Sequence, residues 1–175
     1  MRFVILGSGS GTNAKAILNA QKSGNLGDAE AVALGADREG VKFLDHAAIL
    51  GIPAEFLHPG RFMTKLEGEA EQAWVDRIRQ WKPDLIVLAG LLRVLKPPFI
   101  NAFGGRIINL HPSLLPSFPG LHSIEKAYEY GVKFTGCTVH WVTPTVDAGP
   151  IIDQALVRIA NTDTIETLEA KVHAA

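Results

Sequence analysis

Asn109 and His111 stand two residues apart in Ile108-Asn109-Leu110-His111-Pro112, and that spacing is the first sign of chemistry in the chain. At a strand end, residues i and i+2 point to one side, so the amide and the imidazole converge while Leu110 points away. Both groups can donate hydrogen bonds to a developing oxyanion. A histidine of ordinary pKa, about 6.5, is mostly neutral at pH 7, and a nearby carboxylate favours the charged form. Asp147 is a third candidate. It sits in Thr143-Pro144-Thr145-Val146-Asp147-Ala148-Gly149-Pro150, a turn from which a carboxylate reaches either solvent or a neighbouring strand end. His140 projects opposite to Cys137, Val139 and Trp141, which makes it a possible second polar group in a cleft. Each residue also has a purely structural explanation: His111 capping strand-end carbonyls, Asn109 making a turn, Asp147 satisfying turn amides, His140 buried with its hydrogen bonds met.

A second constellation lies near the amino terminus. Gly7-Ser8-Gly9-Ser10-Gly11-Thr12-Asn13 follows a strand-like run and opens a helix-like one. Glycines let backbone amides approach an anion, and a helix amino terminus adds about half a positive charge. A monophosphate or similar anion fits this outline, and a tight turn needing glycine for geometry alone is the alternative. The turn is not the dinucleotide fingerprint, which counted from Gly7 requires glycine where Thr12 sits, nor a P-loop, since no Gly-Lys-Ser/Thr follows. Asp37 is a weak candidate for a ribose-binding acid after the second strand.

Other chemistries find little support. The spacings of His111, His122, His140 and Asp147 include no HxxxH or HExxH pattern, so no metal is expected. No Gly-x-Ser-x-Gly elbow marks a serine nucleophile. His46, His58 and His173 read as surface or helix residues. With a formal charge of −1 the chain carries no basic patch for nucleic acid. A membrane span would need roughly 18 continuous apolar residues, and none exists, so neither nucleic acid nor membrane is an expected partner. Cys137 is the lone cysteine, which rules out an internal disulfide framework. The cytoplasm is the compartment these features favour; they leave the oligomeric state open.

The elements that must position these groups alternate in a pattern typical of an α/β domain with a largely parallel sheet. Phe3 to Leu6 reads as the first strand, with Thr12 or Asn13 capping a helix that carries Ala14, Ile17, Leu18 and Gln21. Ala31 to Leu34 is a second strand, Val41 to Leu50 a helix, and Ala54 to Leu57 a short third strand. Phe62, Leu66, Ala70, Trp74, Ile78 and Trp81 recur at steps of three or four, predicting one long amphipathic helix ended by Pro83. Leu85 to Ala89 and Arg106 to Leu110 read as buried strands. Pro112, Pro116 and Pro119 then force a shaped loop at a strand's carboxyl end, where open α/β sheets place ligands. Thr135 to Val142 and Ile151 to Ile159 predict an antiparallel hairpin, and Asp163 with Glu166 a capping box for a last helix. With 175 residues, a single domain is expected.

The chain resembles the glycinamide ribonucleotide formyltransferases, the folate-dependent transformylases of purine synthesis. The resemblance rests on Gly9-Ser10-Gly11-Thr12-Asn13, Leu88-Ala89-Gly90-Leu91-Leu92-Arg93-Val94-Leu95, Ile108-Asn109-Leu110-His111-Pro112-Ser113-Leu114-Leu115-Pro116, Phe118-Pro119-Gly120-Leu121-His122, and Gly136-Cys137-Thr138-Val139-His140 through Asp147-Ala148-Gly149-Pro150. It implies a Rossmann-like formyltransferase fold: an open, mostly parallel twisted sheet flanked by helices, with an antiparallel carboxyl-terminal addition. The implied reaction is direct transfer of a formyl group from 10-formyltetrahydrofolate, a co-substrate, to the amine of glycinamide ribonucleotide. By the same resemblance Asn109 and protonated His111 stabilise the oxyanion and Asp147 tunes His111. Gly11, Thr12 and Asn13 hold the substrate phosphate. Leu92, Arg93, Val94 and Leu95 line the folate pocket with Asn109, Thr143, Pro144, Thr145, Val146 and Asp147. Lys65 is the nearest match to a ligand-contacting arginine of the family.

Family chains continue past the position of Ala175, and an acidic residue on the substrate ribose falls beyond it. His173, Ala174 and Ala175 align with the substrate-facing start of that helix, so the last helix is expected to be incomplete. Formyltetrahydrofolate hydrolases share the trio but usually carry an extra amino-terminal domain, against which a strand beginning at Phe3 argues. Methionyl-tRNA formyltransferases carry an RNA-binding domain and a basic surface. A non-catalytic phosphometabolite-binding module is the alternative from another class.

Overall fold

The structure, a computed structural model, describes residues 1–175. Its seven strands run in the order β3-β2-β1-β4-β5-β6-β7, where β1 is Arg2–Gly7, β2 Glu30–Ala36, β3 Ala54–Phe56, β4 Leu85–Leu88, β5 Ile107–His111, β6 Phe134–Trp141 and β7 Ile151–Arg158. The chain forms two compact units, Met1–Ile108 and Asn109–Ala175.

In the first unit β1 pairs in parallel with both β2 and β4, and β2 pairs in parallel with β3. The helices are α1 (Thr12–Lys22), the one-turn α2 (Lys42–Asp45) running into a 3-10 turn at His46–Ile49, α3 (Glu69–Trp81) and α4 (Pro97–Phe103). Phe3 and Ile5 of β1 pack with Ala14 and Leu18 of α1, Leu34 of β2 and Phe43 of α2 to form the core. Strand β1 therefore ends in its glycine-rich turn beside a well-packed support.

The second unit pairs β6 with β7 in antiparallel register, from Phe134 opposite Arg158 to Val139 opposite Asp153, with a shift at Val139/His140. Helices α5 (Ser123–Tyr130) and α6 (Ile165–Ala174) complete it. Ile124, Val157, Leu168 and Val172 form its core, with Cys137, Ile159 and Ile165 packed against them.

Several expectations shift. The long helix starts only at Glu69, because Gly68 holds φ 71 and the Thr64–Leu66 backbone instead bonds to Val94. Phe62 and Leu66 thus lie outside the helix, although Leu66 is fully buried. The Val41–Leu50 helix breaks into α2 and the 3-10 turn. Gly11, not Thr12 or Asn13, is the N-cap of α1, and no side chain caps it. The last helix is capped one residue later than expected, by Thr164 reciprocally with Thr167. Helices α4 and α5 have no counterpart in the sequence pattern; both are short. No helix is long and apolar enough to cross a membrane.

Asp163, displaced from the cap, anchors α6 from outside. Its carboxylate accepts from Lys171 Nζ at 2.7 Å and from the Ala160 amide at 2.7 Å. The Lys171 ammonium, and then the Ala160 amide, hold that carboxyl below its usual range. A depressed folded pKa contributes stability above the unfolded value and loses it as pH falls through the folded one. Asp163→Asn is therefore expected to lower the melting midpoint at neutral pH, with the gap from wild type closing below about pH 4. A gap that persists in acid would show that the carboxylate is not what anchors α6.

Candidate active site

Strand β5 ends at His111, which is buried, and Asn109 is half-buried two residues earlier. His111 Nδ1 lies 3.4 Å from Asp147 Oδ2, and His111 Nε2 lies 3.0 Å from the carbonyl oxygen of Phe118. Both ring nitrogens face acceptors. A neutral imidazole has one N–H and can serve one of them at a time, whereas an imidazolium donates to both. The Phe118 carbonyl is not visible in the residue pattern, because a backbone group leaves no mark in residue type.

His140 occupies the centre of the cluster. It is 2% exposed, and the register shift beside it is the kind of irregularity that re-aims a side chain. With Nδ1 donating to the Trp141 carbonyl at 3.0 Å, its Nε2 accepts from Asn109 Nδ2 at 3.2 Å. That bond orients the Asn109 amide and leaves its second N–H free to donate elsewhere. His140 Nε2 also lies 3.7 Å from Asp147 Oδ1, so the carboxylate faces both histidines.

Asp147 is held by its own backbone. It adopts φ 52, a left-handed conformation that aspartate tolerates better than most residues. Its Oδ2 also accepts from the Gly120 amide at 2.8 Å. Gly149 returns the chain so close to β6 that a Cβ there would stand 1.7 Å from the Trp141 carbonyl. The 112–120 loop is fixed from the strand side. Thr138 Oγ1 donates to Ser113 O and accepts from the Leu115 amide, while Gln154 Nε2 donates to Leu115 O. The second unit thus brings together Asn109, His111, His140 and Asp147. Thr143, Pro144, Thr145 and Val146 form the approach to Asp147, with Val146 51% exposed. His173 and Ala174 end α6 and are exposed, as is Ala175.

In the first unit Gly11 has φ 73, and a Cβ on it would meet Phe43 Cα at 2.8 Å. Phe43 N donates to Gly9 O, and His46 Nε2 lies 2.9 Å from Ser10 O, so α2 and the turn after it brace the glycine loop. His46, expected as a bystander, is part of that brace. The first turn of α1 has no acidic residue and no side-chain cap, leaving its positive end uncompensated. Leu92 and Val94 are 48% and 37% exposed, while Arg93 and Leu95 turn inward. Lys65 bridges to Val94, pairs with Glu67 and sits 4.2 Å over the Phe62 ring. Asp37, the weak ribose candidate, is buried against Arg93 instead.

The profile of the formyl transferase family matches residues 1–175. Phosphoribosylglycinamide formyltransferase of Bacillus subtilis is 39% identical over 98% of this chain and 87% of its own. Trifunctional purine biosynthetic protein adenosine-3 of Gallus gallus is 39% identical over 98% of this chain, which spans 17% of that protein. The crystal structure of glycinamide ribonucleotide transformylase 1 from Symbiobacterium toebii superposes with a TM-score of 0.92 at 40% identity, covering 99% of this chain and 81% of the other. The chain belongs to the formyl transferase family. The open, mostly parallel sheet with an antiparallel carboxyl-terminal pair is the fold its relatives share.

The glycine turn supplies a direct check. Gly11→Ala is expected to destabilise the protein by about 1–3 kcal/mol, through left-handed backbone strain and the Phe43 contact. Gly9→Ala, which meets no atom within 4 Å, is expected to stay within about 0.5 kcal/mol of wild type in the same denaturant titration. Equal losses would contradict the assigned geometry.

Proposed function

We propose that this formyltransferase moves a formyl group from 10-formyltetrahydrofolate to the amino group of glycinamide ribonucleotide, a step of purine biosynthesis, in the cytoplasm. The observation that carries the reading is the contact of His111 with Asp147 beside the oriented amide of Asn109, in a chain whose relatives bear that activity in their names.

The amine nitrogen attacks the formyl carbon, and a new C–N bond forms as the carbonyl oxygen becomes an oxyanion. The free N–H of Asn109 donates to that oxygen, and the Nε2–H of His111 exchanges the Phe118 carbonyl for it while Nδ1 stays with Asp147, a stabilisation that strengthens as charge develops. For the C–N bond to the folate to break, its nitrogen must gain a proton, and His111 is the donor. The attacking amine must lose one, and Asp147 relays it back toward His111. No covalent enzyme intermediate is required. His140 takes no part in these transfers; it holds Asn109.

The remaining residues are assigned by their chemistry and their family counterparts. The uncapped start of α1 at Gly11, Thr12 and Asn13 suits a phosphate dianion. Exposed Leu92, Val94 and Val146 suit the faces of a folate's ring system, whose polar edges need backbone partners. Lys65, with Thr143, Pro144 and Thr145, belongs to the same subsite, and His173 to Ala175 to the ribose side.

The test is a spectrophotometric assay of tetrahydrofolate release, run with and without glycinamide ribonucleotide. Release that depends on the amine is expected, and Asn109→Ala or His111→Ala should each lower kcat roughly 100- to 1,000-fold. Release without the amine would instead identify a hydrolase sharing the trio, and binding of both ligands with no release would leave only a phosphometabolite-binding module.

A further inference from the structure

Arg93 carries a charge into the first unit where no charge is needed for packing. Its side chain is 7% exposed, and Nε donates to Asp37 Oδ2 at 2.5 Å while Nη1 donates to the Phe62 carbonyl. Asp37 follows directly on the end of β2, its side chain is 2% exposed, and its second oxygen, Oδ1, is buried without a partner. A buried ion pair is poor glue, because desolvation offsets most of its attraction and apolar residues of similar size often serve as well. The orphaned Oδ1 makes the pair worse still as a stabiliser.

What the pair does fix is the course of the chain after β4. Leu92 N donates to Ser8 Oγ at 2.9 Å, Val94 N to Thr64 O at 2.9 Å, and Leu66 N to Val94 O at 3.1 Å. Arg93 sits at a bend and Val94 in a parallel bridge to Lys65, and exposure alternates along the segment, with Arg93 and Leu95 inward and Leu92 and Val94 outward. Removing the Arg93 anchor frees that alternation, and with it the backbone groups and the apolar ledge that the segment offers.

We propose that Asp37 and Arg93 are positioning residues for the folate co-substrate: the buried pair locks Leu92–Leu95 so that Leu92 and Val94 present an apolar ledge to its ring, while the Arg93 guanidinium itself stays away from the ligand. This rests on the folate-dependent reading above. It differs from that reading in giving Arg93 an inward role and in bringing in Asp37, which no ligand contact requires.

The experiment is equilibrium titration of the full chain with tetrahydrofolate and, separately, with glycinamide ribonucleotide, alongside kcat and KM for the formyl donor. Asp37→Ala is expected to weaken tetrahydrofolate about tenfold and to raise the donor KM in parallel, since misplacing a positioning segment is costly. Its kcat and its affinity for glycinamide ribonucleotide should stay within about twofold. Asp37→Asn keeps an oxygen to accept the Arg93 Nε proton and should recover most of the loss. Wild-type folate binding by a folded Asp37→Ala, or equal weakening of both ligands, would overturn the proposal. If Asp37→Ala does not fold, Arg93→Lys, which keeps the charge but cannot fork between Asp37 and Phe62, gives the same comparison with the same opposing outcomes. Failure of the wild-type chain to bind tetrahydrofolate would instead bring down the folate reading itself, and this proposal with it.

Discussion

A histidine at a strand end and an aspartate at a hairpin tip can act together only if the chain spends backbone freedom to hold them there. The 3.4 Å approach of His111 Nδ1 to Asp147 is the interaction on which the second unit is organised. Asp147 reaches it from a left-handed backbone position, Gly149 allows a close return of the chain, and the Gly120 amide donates to the same carboxylate oxygen. The Phe118 carbonyl then completes the surroundings of the ring. Strain of this kind, one left-handed non-glycine residue at a functional tip, costs about 1 kcal/mol or somewhat more and persists only where its neighbours enforce it.

The same logic divides labour among the polar groups. His140 is more deeply enclosed than Asn109, and it accepts a hydrogen bond where Asn109 must donate one, so the amide's orientation is settled before any ligand arrives. Thr138 and Gln154, on neighbouring strands, lock the proline-rich loop that follows His111. In the first unit, charge is used differently. The start of α1 has neither a side-chain cap nor an acidic residue in its first turn, whereas the Arg93 charge is buried and matched.

Much of this was legible in the residues themselves. The parity of Asn109 and His111, the proline loop, the antiparallel pair and the opposed face of His140 all follow from period-two alternation, and the structure reproduces them. The failures have physical causes. Phe62 and Leu66 have helical spacing, but spacing cannot register that the Leu66 amide is bonded to Val94 and the Phe62 carbonyl to the Arg93 side chain. Helices α4 and α5 span 7 and 8 residues, too short for a period to declare itself. Asp163 resembles a cap because caps and helix anchors draw on the same side chains, and here Thr164 takes the first role and Asp163 the second. Asp37 and Arg93 lie 56 positions apart, a separation at which pairing leaves no pattern in a single sequence.

The central claim is that Asp147 acts through His111, and a double-mutant cycle on formyl transfer tests it most directly. If the 3.4 Å contact is what couples them, Asp147→Asn should lower kcat in the wild-type background but cost little more once His111→Ala is already present, because the two side chains act as one unit. Losses in kcat that simply add in the double variant would contradict the account, leaving Asp147 as a residue that shapes the loop and nothing more.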